Sequence, residues 1–189
     1  MFGHLTWYLA RSAGLLAWSL VTASVVWGLL LSSKASAAGK RPRPAWVLDL
    51  HRYLGGLATV FVGVHVVALI ADSYVHFDIV SALVPFASQW RPGAVAWGVV
   101  GFWFLLAVEL TSLARRRLPR RAWRLVHGAS FPLFIVATIH GFTAGTDSGS
   151  ILFVGGAVLA ILAVTALTGL RLEQARRSAA APPRASIAR

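Results

Sequence analysis

Apolar residues fall into five runs, each long enough to cross a bilayer, separated by short polar or basic stretches. The first covers residues 15–31 and extends back to about residue 5. The others cover 51–71, 93–113, 122–142 and 151–170. Between the second and third lies a shorter apolar piece, residues 79–86. It is too short to span, stops at Pro85, and reads as a surface or re-entrant segment on the outer face. The pattern predicts an all-α integral membrane helix bundle with five transmembrane helices. Residues 1–12 form an outer N-terminal segment, 13–170 the bundle, and 171–189 a basic cytoplasmic tail, Ala/Pro-rich and disordered beyond Arg177.

Composition agrees with this. Hydrophobic residues make up 57% of the 189 and charged residues 13%, too few charges to cover a soluble domain of this length. With no cysteine, disulfides, thiolate-ligated haem and cysteine-held iron–sulfur clusters are excluded. The net charge of +12 does not point to nucleic acid, because Lys and Arg gather at the ends of apolar runs. Five lie in 32–52, six in 114–124 and five from 171 onward, against only Arg11 and Arg91 on the other side. The bias places the N-terminus outside and the C-terminus inside, as a multi-pass protein of the plasma membrane. Ala35-Ser36-Ala37 resembles a signal-peptidase site, but the basic cluster follows the apolar run rather than preceding it, so the first helix is expected to be retained.

Candidate chemistry enters with histidine. His51 and His65 stand fourteen residues apart on the second span. At about 100° per residue they share one face, and at about 1.5 Å per residue they lie some 21 Å apart in depth. His127 and His140 stand thirteen apart on the fourth span, which runs in the same direction. His51 pairs in depth with His127 near the inner face, and His65 with His140 near the outer. A single membrane histidine is as readily a hydrogen-bonded packing residue. Four in two matched pairs point to cofactors. Zinc, copper or di-iron sites need clustered ligands that this spacing denies, whereas a planar macrocycle needs one imidazole from each side. Two b-type haems with bis-histidine ligation follow, held non-covalently since no Cys-x-x-Cys-His motif is present. Gly55, Gly56, Gly63, Gly128 and Gly141 are expected to make room for the rings. Thirteen residues of straight helix would set His127 and His140 about 140° apart. Pro132 lies between them and predicts a kink there, or ligation from different flanks.

The two histidine spacings, together with LARSAG, DLHRYLGGLA, RRRLPRRAWRLVH and HGFTAGTD, resemble the ferric reductase-like transmembrane domain superfamily over about residues 5–170. That superfamily takes in NADPH oxidases, ferric reductases and the haem membrane subunit of a periplasmic methionine sulfoxide reductase, and the look is of an actinobacterial stand-alone member. The resemblance implies that His51 and His127 ligate an inner haem and His65 and His140 an outer one. It matches Arg11 to an arginine beside the outer haem, where it would meet a propionate or else reach lipid phosphate. Arg52 and Arg124 are inner-face counterparts, with lipid contact the stronger alternative. No Gly-rich dinucleotide fingerprint follows the last span, so electrons are expected from a quinol or a flavin reductase, flavin entering only through a partner.

The expected activity is transmembrane electron transfer, as membrane subunit of a reductase with separate soluble partners and an outer-face acceptor. The rivals are a terminal ferric or oxygen reductase working at the outer haem edge, and a non-redox structural or transport bundle. Glu109 is expected to bridge to Arg115–Arg117 at the inner interface, with proton or quinol chemistry the alternative. His4 and His76 read as loop residues, His76 with Asp72 and Asp78 as a weak metal or partner contact. Trp7, Trp46, Trp90 and Trp123 fit an aromatic belt.

Overall fold

A computed structural model describes residues 2–32, 45–72 and 77–180. Five helices are long and apolar enough to cross a membrane, and no strand occurs among the described residues. The protein is an all-α membrane bundle. The expectations for Lys34, Lys40, Arg41, Arg43, Ala35-Ser36-Ala37, His76, the His4 side chain and residues 181–189 fall outside the described residues.

Helices α1 (Phe2–Ser32) and α2 (Ala45–Ala71) form an antiparallel hairpin. One end is pinned by the Trp27 indole donating to the Val47 carbonyl at 2.8 Å, the other by Thr6 donating to Asp72 at 2.8 Å. In α1, Ala10, Ala13, Ala17, Val21, Val25 and Leu29 are buried at steps of three or four. Lipid tails are as apolar as these side chains, so association rests on close van der Waals approach, which small residues allow. The second packing pair is α4 (Pro92–Leu113) on α6 (Ser130–Ala144), with α7 (Ile151–Ala180) against α1. Residues of α1, α2, α4, α6 and α7 meet in one core around Ala58, Leu105 and Phe134. Hydroxyls inside the spans donate to carbonyls one turn back, as Thr59 does to Gly55 and Thr138 to Phe134.

The fourth span is broken. Helix α5 (Arg120–His127) ends at Gly128–Ala129 before α6 begins. Pro132 has no N–H for the Gly128 carbonyl four residues back, and its ring needs that space. The Gly128 carbonyl accepts instead from Phe131 at 3.2 Å, and regular bonding resumes with Leu133 to Ala129 at 2.9 Å. The irregular turn expected at Pro132 therefore lies one turn earlier.

The short segment after α2 folds back against α4. Asp78 caps α3 (Ile79–Leu83) by accepting from the Ser81 N–H at 2.7 Å. At its other end the Leu83 carbonyl accepts from the Trp103 indole at 2.9 Å. Trp103 lies eleven residues into α4, about 16 Å from its start, so Leu83 sits well inside the span even allowing for the indole's lean toward the helix N-terminus. Phe86, at φ 66°, turns the chain back.

Helix α7 continues ten residues past the expected end of the last span, to Ala180, with Arg177 donating to Glu173 at 2.8 Å. At about 1.5 Å per residue its thirty residues outrun the ~30 Å hydrocarbon core. The basic end of the bundle carries the 3₁₀ turn Arg115–Arg117; the far end carries α3 and the α6–α7 loop.

Candidate functional site

The hairpin and the broken fourth span bring the four histidines together in two pairs. At the basic end the His51 and His127 ring centroids are 6.0 Å apart with planes at 75°. At the far end those of His65 and His140 are 6.3 Å apart at 81°. The irregular turn at Gly128–Ala129 lies between His127 and His140, whose rings both meet rings of α2.

Every Nδ1 has a partner, always on α1 or α4. His65 Nδ1 lies 2.7 Å from the Ala10 carbonyl, and His140 Nδ1 lies 2.9 Å from the Ala94 carbonyl. A carbonyl only accepts, so both nitrogens carry the proton and Nε2 keeps its lone pair. His51 Nδ1 is 3.3 Å from the Ser24 hydroxyl. His127 Nδ1 is 3.4 Å from the Ser112 hydroxyl. The carbonyl contacts fix both ring and tautomer and leave Nε2 available to a metal, whereas the hydroxyls, which can donate or accept, fix the ring alone.

Room for the rings comes from glycines on the facing helices. A Cβ at Gly14 would stand 3.0 Å from His65 Nδ1, one at Gly28 3.1 Å from His51 Cε1, and one at Gly98 2.6 Å from His140 Cε1. Gly14 and Gly28 repeat the fourteen-residue step of His51 and His65 on the antiparallel partner. The glycines expected to let a broad ring approach the backbone touch no imidazole. A Cβ at Gly56 or Gly63 would meet nothing within 4 Å, Gly128 abuts its own turn, Gly141 abuts Phe153, and Gly55 abuts the Glu109 carboxylate. The fourteen-residue spacing on α1 is the signal in the sequence for Gly14 and Gly28.

These residues fit the expected cofactor. Two in-line metal–imidazole bonds of about 2 Å each, plus two half-rings, place centroids about 6 Å apart. Two facing imidazoles at each end would suit a planar group held from both sides. A cavity of about 270 Å³ opens between His65 and His140, walled by Trp18, Phe102 and Leu133 among others.

Arg11, on the rim of that cavity, is held by both carboxylate oxygens of Asp147 from the α6–α7 loop and lies over Trp7, 5.1 Å from its centroid. The Arg11 hydrogen bonds hold the Asp147 carboxyl below the usual carboxylate range. Arg52 pairs with Asp49 at 3.3 Å. Arg124 is exposed and forms no ion pair among the described residues. The bridge expected from Glu109 to Arg115–Arg117 is absent among the described residues, because Glu109 points across to the bare backbone of Gly55 on α2. Sequence reading also missed that Trp123 stacks on His127 at 4.9 Å and 22°, with Arg115 above it at 4.5 Å. The Trp123 indole nitrogen is buried without a hydrogen-bond partner.

No curated protein and no solved structure matches the chain. The profile of the family described as ferric reductase like transmembrane component matches residues 13–138, taking in His51, His65 and His127 and stopping two residues short of His140. That match covers more than half of the chain and spans the helices on which the paired rings are built, and the protein therefore belongs to the ferric reductase-like transmembrane component family.

Proposed function

We propose that the protein is a di-haem cytochrome b that passes electrons across the plasma membrane, as the membrane subunit of a reductase with separate soluble partners. The family assignment supports a membrane electron-transfer component. The observation that carries the finer reading is the pair of facing histidines at each end, 6.0 and 6.3 Å apart, with all four Nδ1 atoms engaged. On this reading the basic end faces the cytoplasm, so His51 and His127 form the inner pair and His65 and His140 the outer. Haem b supplies a one-electron couple when bound.

The chain's part is geometric and dielectric. Helix α2 separates the two pairs by about 21 Å along its axis. The Ala10 and Ala94 carbonyls and the Ser24 and Ser112 hydroxyls keep each ring turned toward its opposite. His51 with His127 and His65 with His140 would hold each group from both sides, and a group so held would supply outer-sphere electron transfer. The apolar core around Leu105, Leu133 and Phe134 keeps water from between the pairs. The electron donor on this reading is a quinol or a flavin reductase.

Purified protein is expected to show haem b spectra that change on dithionite reduction, with two haems per chain. His51→Ala and His65→Ala should each remove about one. Protein without a haem spectrum, or variants that keep both haems, would refute the assignment. Mixing with quinol or with a flavin reductase then identifies the donor.

A further inference from the structure

The two pairs are held by different chemistry. Both outer rings lean on main-chain carbonyls, at 2.7 and 2.9 Å, in the same device: an alanine carbonyl takes the Nδ1 proton while the glycine four residues on, Gly14 or Gly98, leaves space for the ring. The inner rings lean on serine hydroxyls at 3.3 and 3.4 Å. Ser24 stands fourteen residues after Ala10, with Gly28 four residues beyond it, so α1 repeats the device with a hydroxyl added. On α4 the position fourteen residues after Gly98 is Ser112 itself, and no glycine contact to His127 accompanies it.

We propose that Ser112 and, to a lesser degree, Ser24 are positioning residues that set the reduction potential of the inner site independently of the outer one. This rests on the di-haem reading. A metal on Nε2 requires the proton on Nδ1, so each hydroxyl is the acceptor. A stronger Nδ1–H···O contact makes the imidazole a richer donor and favours oxidised iron; a weaker one favours reduced iron. The short carbonyl contacts therefore press the outer site toward lower potential, and the longer hydroxyl contacts press the inner site less. No side-chain substitution removes the outer acceptors. Both inner hydroxyls can be removed. On α1 the Ser24 carbonyl stands at the register of the Ala10 carbonyl, with Gly28 opening the backbone to His51 as Gly14 does to His65. No such glycine opens α4 to His127, which ranks the two serines.

The test is spectroelectrochemical titration of the full-length protein, with the inner step identified as the one missing in His51→Ala. Ser112→Ala should move the inner step to more positive potential, or lower haem from two to one per chain, with the outer step in place. Ser24→Ala should move the same step less, and Ser112→Thr should restore the wild-type value. An unmoved inner step in Ser112→Ala overturns the proposal. So does a shift of both steps together, the mark of a general packing defect. Wild-type protein that binds no haem overturns the functional reading and this proposal with it, whereas two normal steps beside an unmoved Ser112→Ala overturn this proposal alone.

Discussion

At the scale of single residues, the site depends as much on what is missing from α1 and α4 as on the four imidazoles. A methyl at position 98 would stand 2.6 Å from the His140 ring, a separation real Cβ atoms do not keep. Gly98→Ala should displace the ring from the Ala94 carbonyl and cost the outer haem, leaving about one per chain by pyridine haemochrome assay. Gly56→Ala is the contrast, since nothing within 4 Å opposes the new methyl. It should keep both haems and raise thermal stability, as replacing a helix-interior glycine contributes about 0.5–1 kcal/mol. These two outcomes could not have been told apart in sequence. Both glycines lie in apolar helices, and only the register of neighbouring helices decides which one faces a ring. The histidines were legible because their spacing lies within one helix; their glycine partners lie on another.

At the scale of elements, the break in the fourth span does what a straight helix cannot. Pro132→Ala would restore an N–H for the Gly128 carbonyl and let α5 and α6 join. His127 would then swing toward the 140° offset that thirteen residues impose on a continuous helix. The variant should stay fully helical by circular dichroism yet bind one haem per chain instead of two, the inner one being lost. Retention of both would mean that the break is not what aims His127. Pro132 announced the irregularity in the sequence but not its place, because proline disturbs the carbonyl four residues behind it rather than its own position. The outer segment was read only as surface or re-entrant. Its depth is set by one hydrogen bond, from Trp103 to Leu83, between residues twenty apart.

At the scale of the molecule, the bundle is closed at its far end by a bond across most of the chain. Arg11 on α1 grips Asp147 in the last loop, a separation of 136 residues that no local pattern reveals. The Asp147 carboxyl is held low chiefly by the hydrogen bonds from Arg11. A carboxylate depressed in the folded state stabilises it at pH above the unfolded value of about 3.9, and that stability is lost as pH falls through the lower folded value. Asp147→Asn should therefore lower the thermal midpoint near neutral pH, and the gap to wild type should close as the solution is acidified through that range. A gap unchanged with pH would show that the loop is held by something other than this pair. The five spans and the pairing of histidine depths were readable from hydropathy and charge alone, since membrane thickness and lipid charge act on every residue in the same way. The closure at Arg11 was not, because it depends on one fold.

The short segment before α4 makes the two ends of the bundle unequal. Among the described residues the basic end holds five helical cross-sections, and the far end adds a wedge. Phe77 and Ala82 of that wedge press on Val95 and Val99 of α4, and the same Phe77 and Ala82, with Trp90, wall the cavity between His65 and His140. Ile79, Val80, Val84 and Phe86 face outward from it. Pressure on the exposed face of the wedge therefore bears on the wall of that cavity, which makes packing around the far end a mechanical input to the His65–His140 pair.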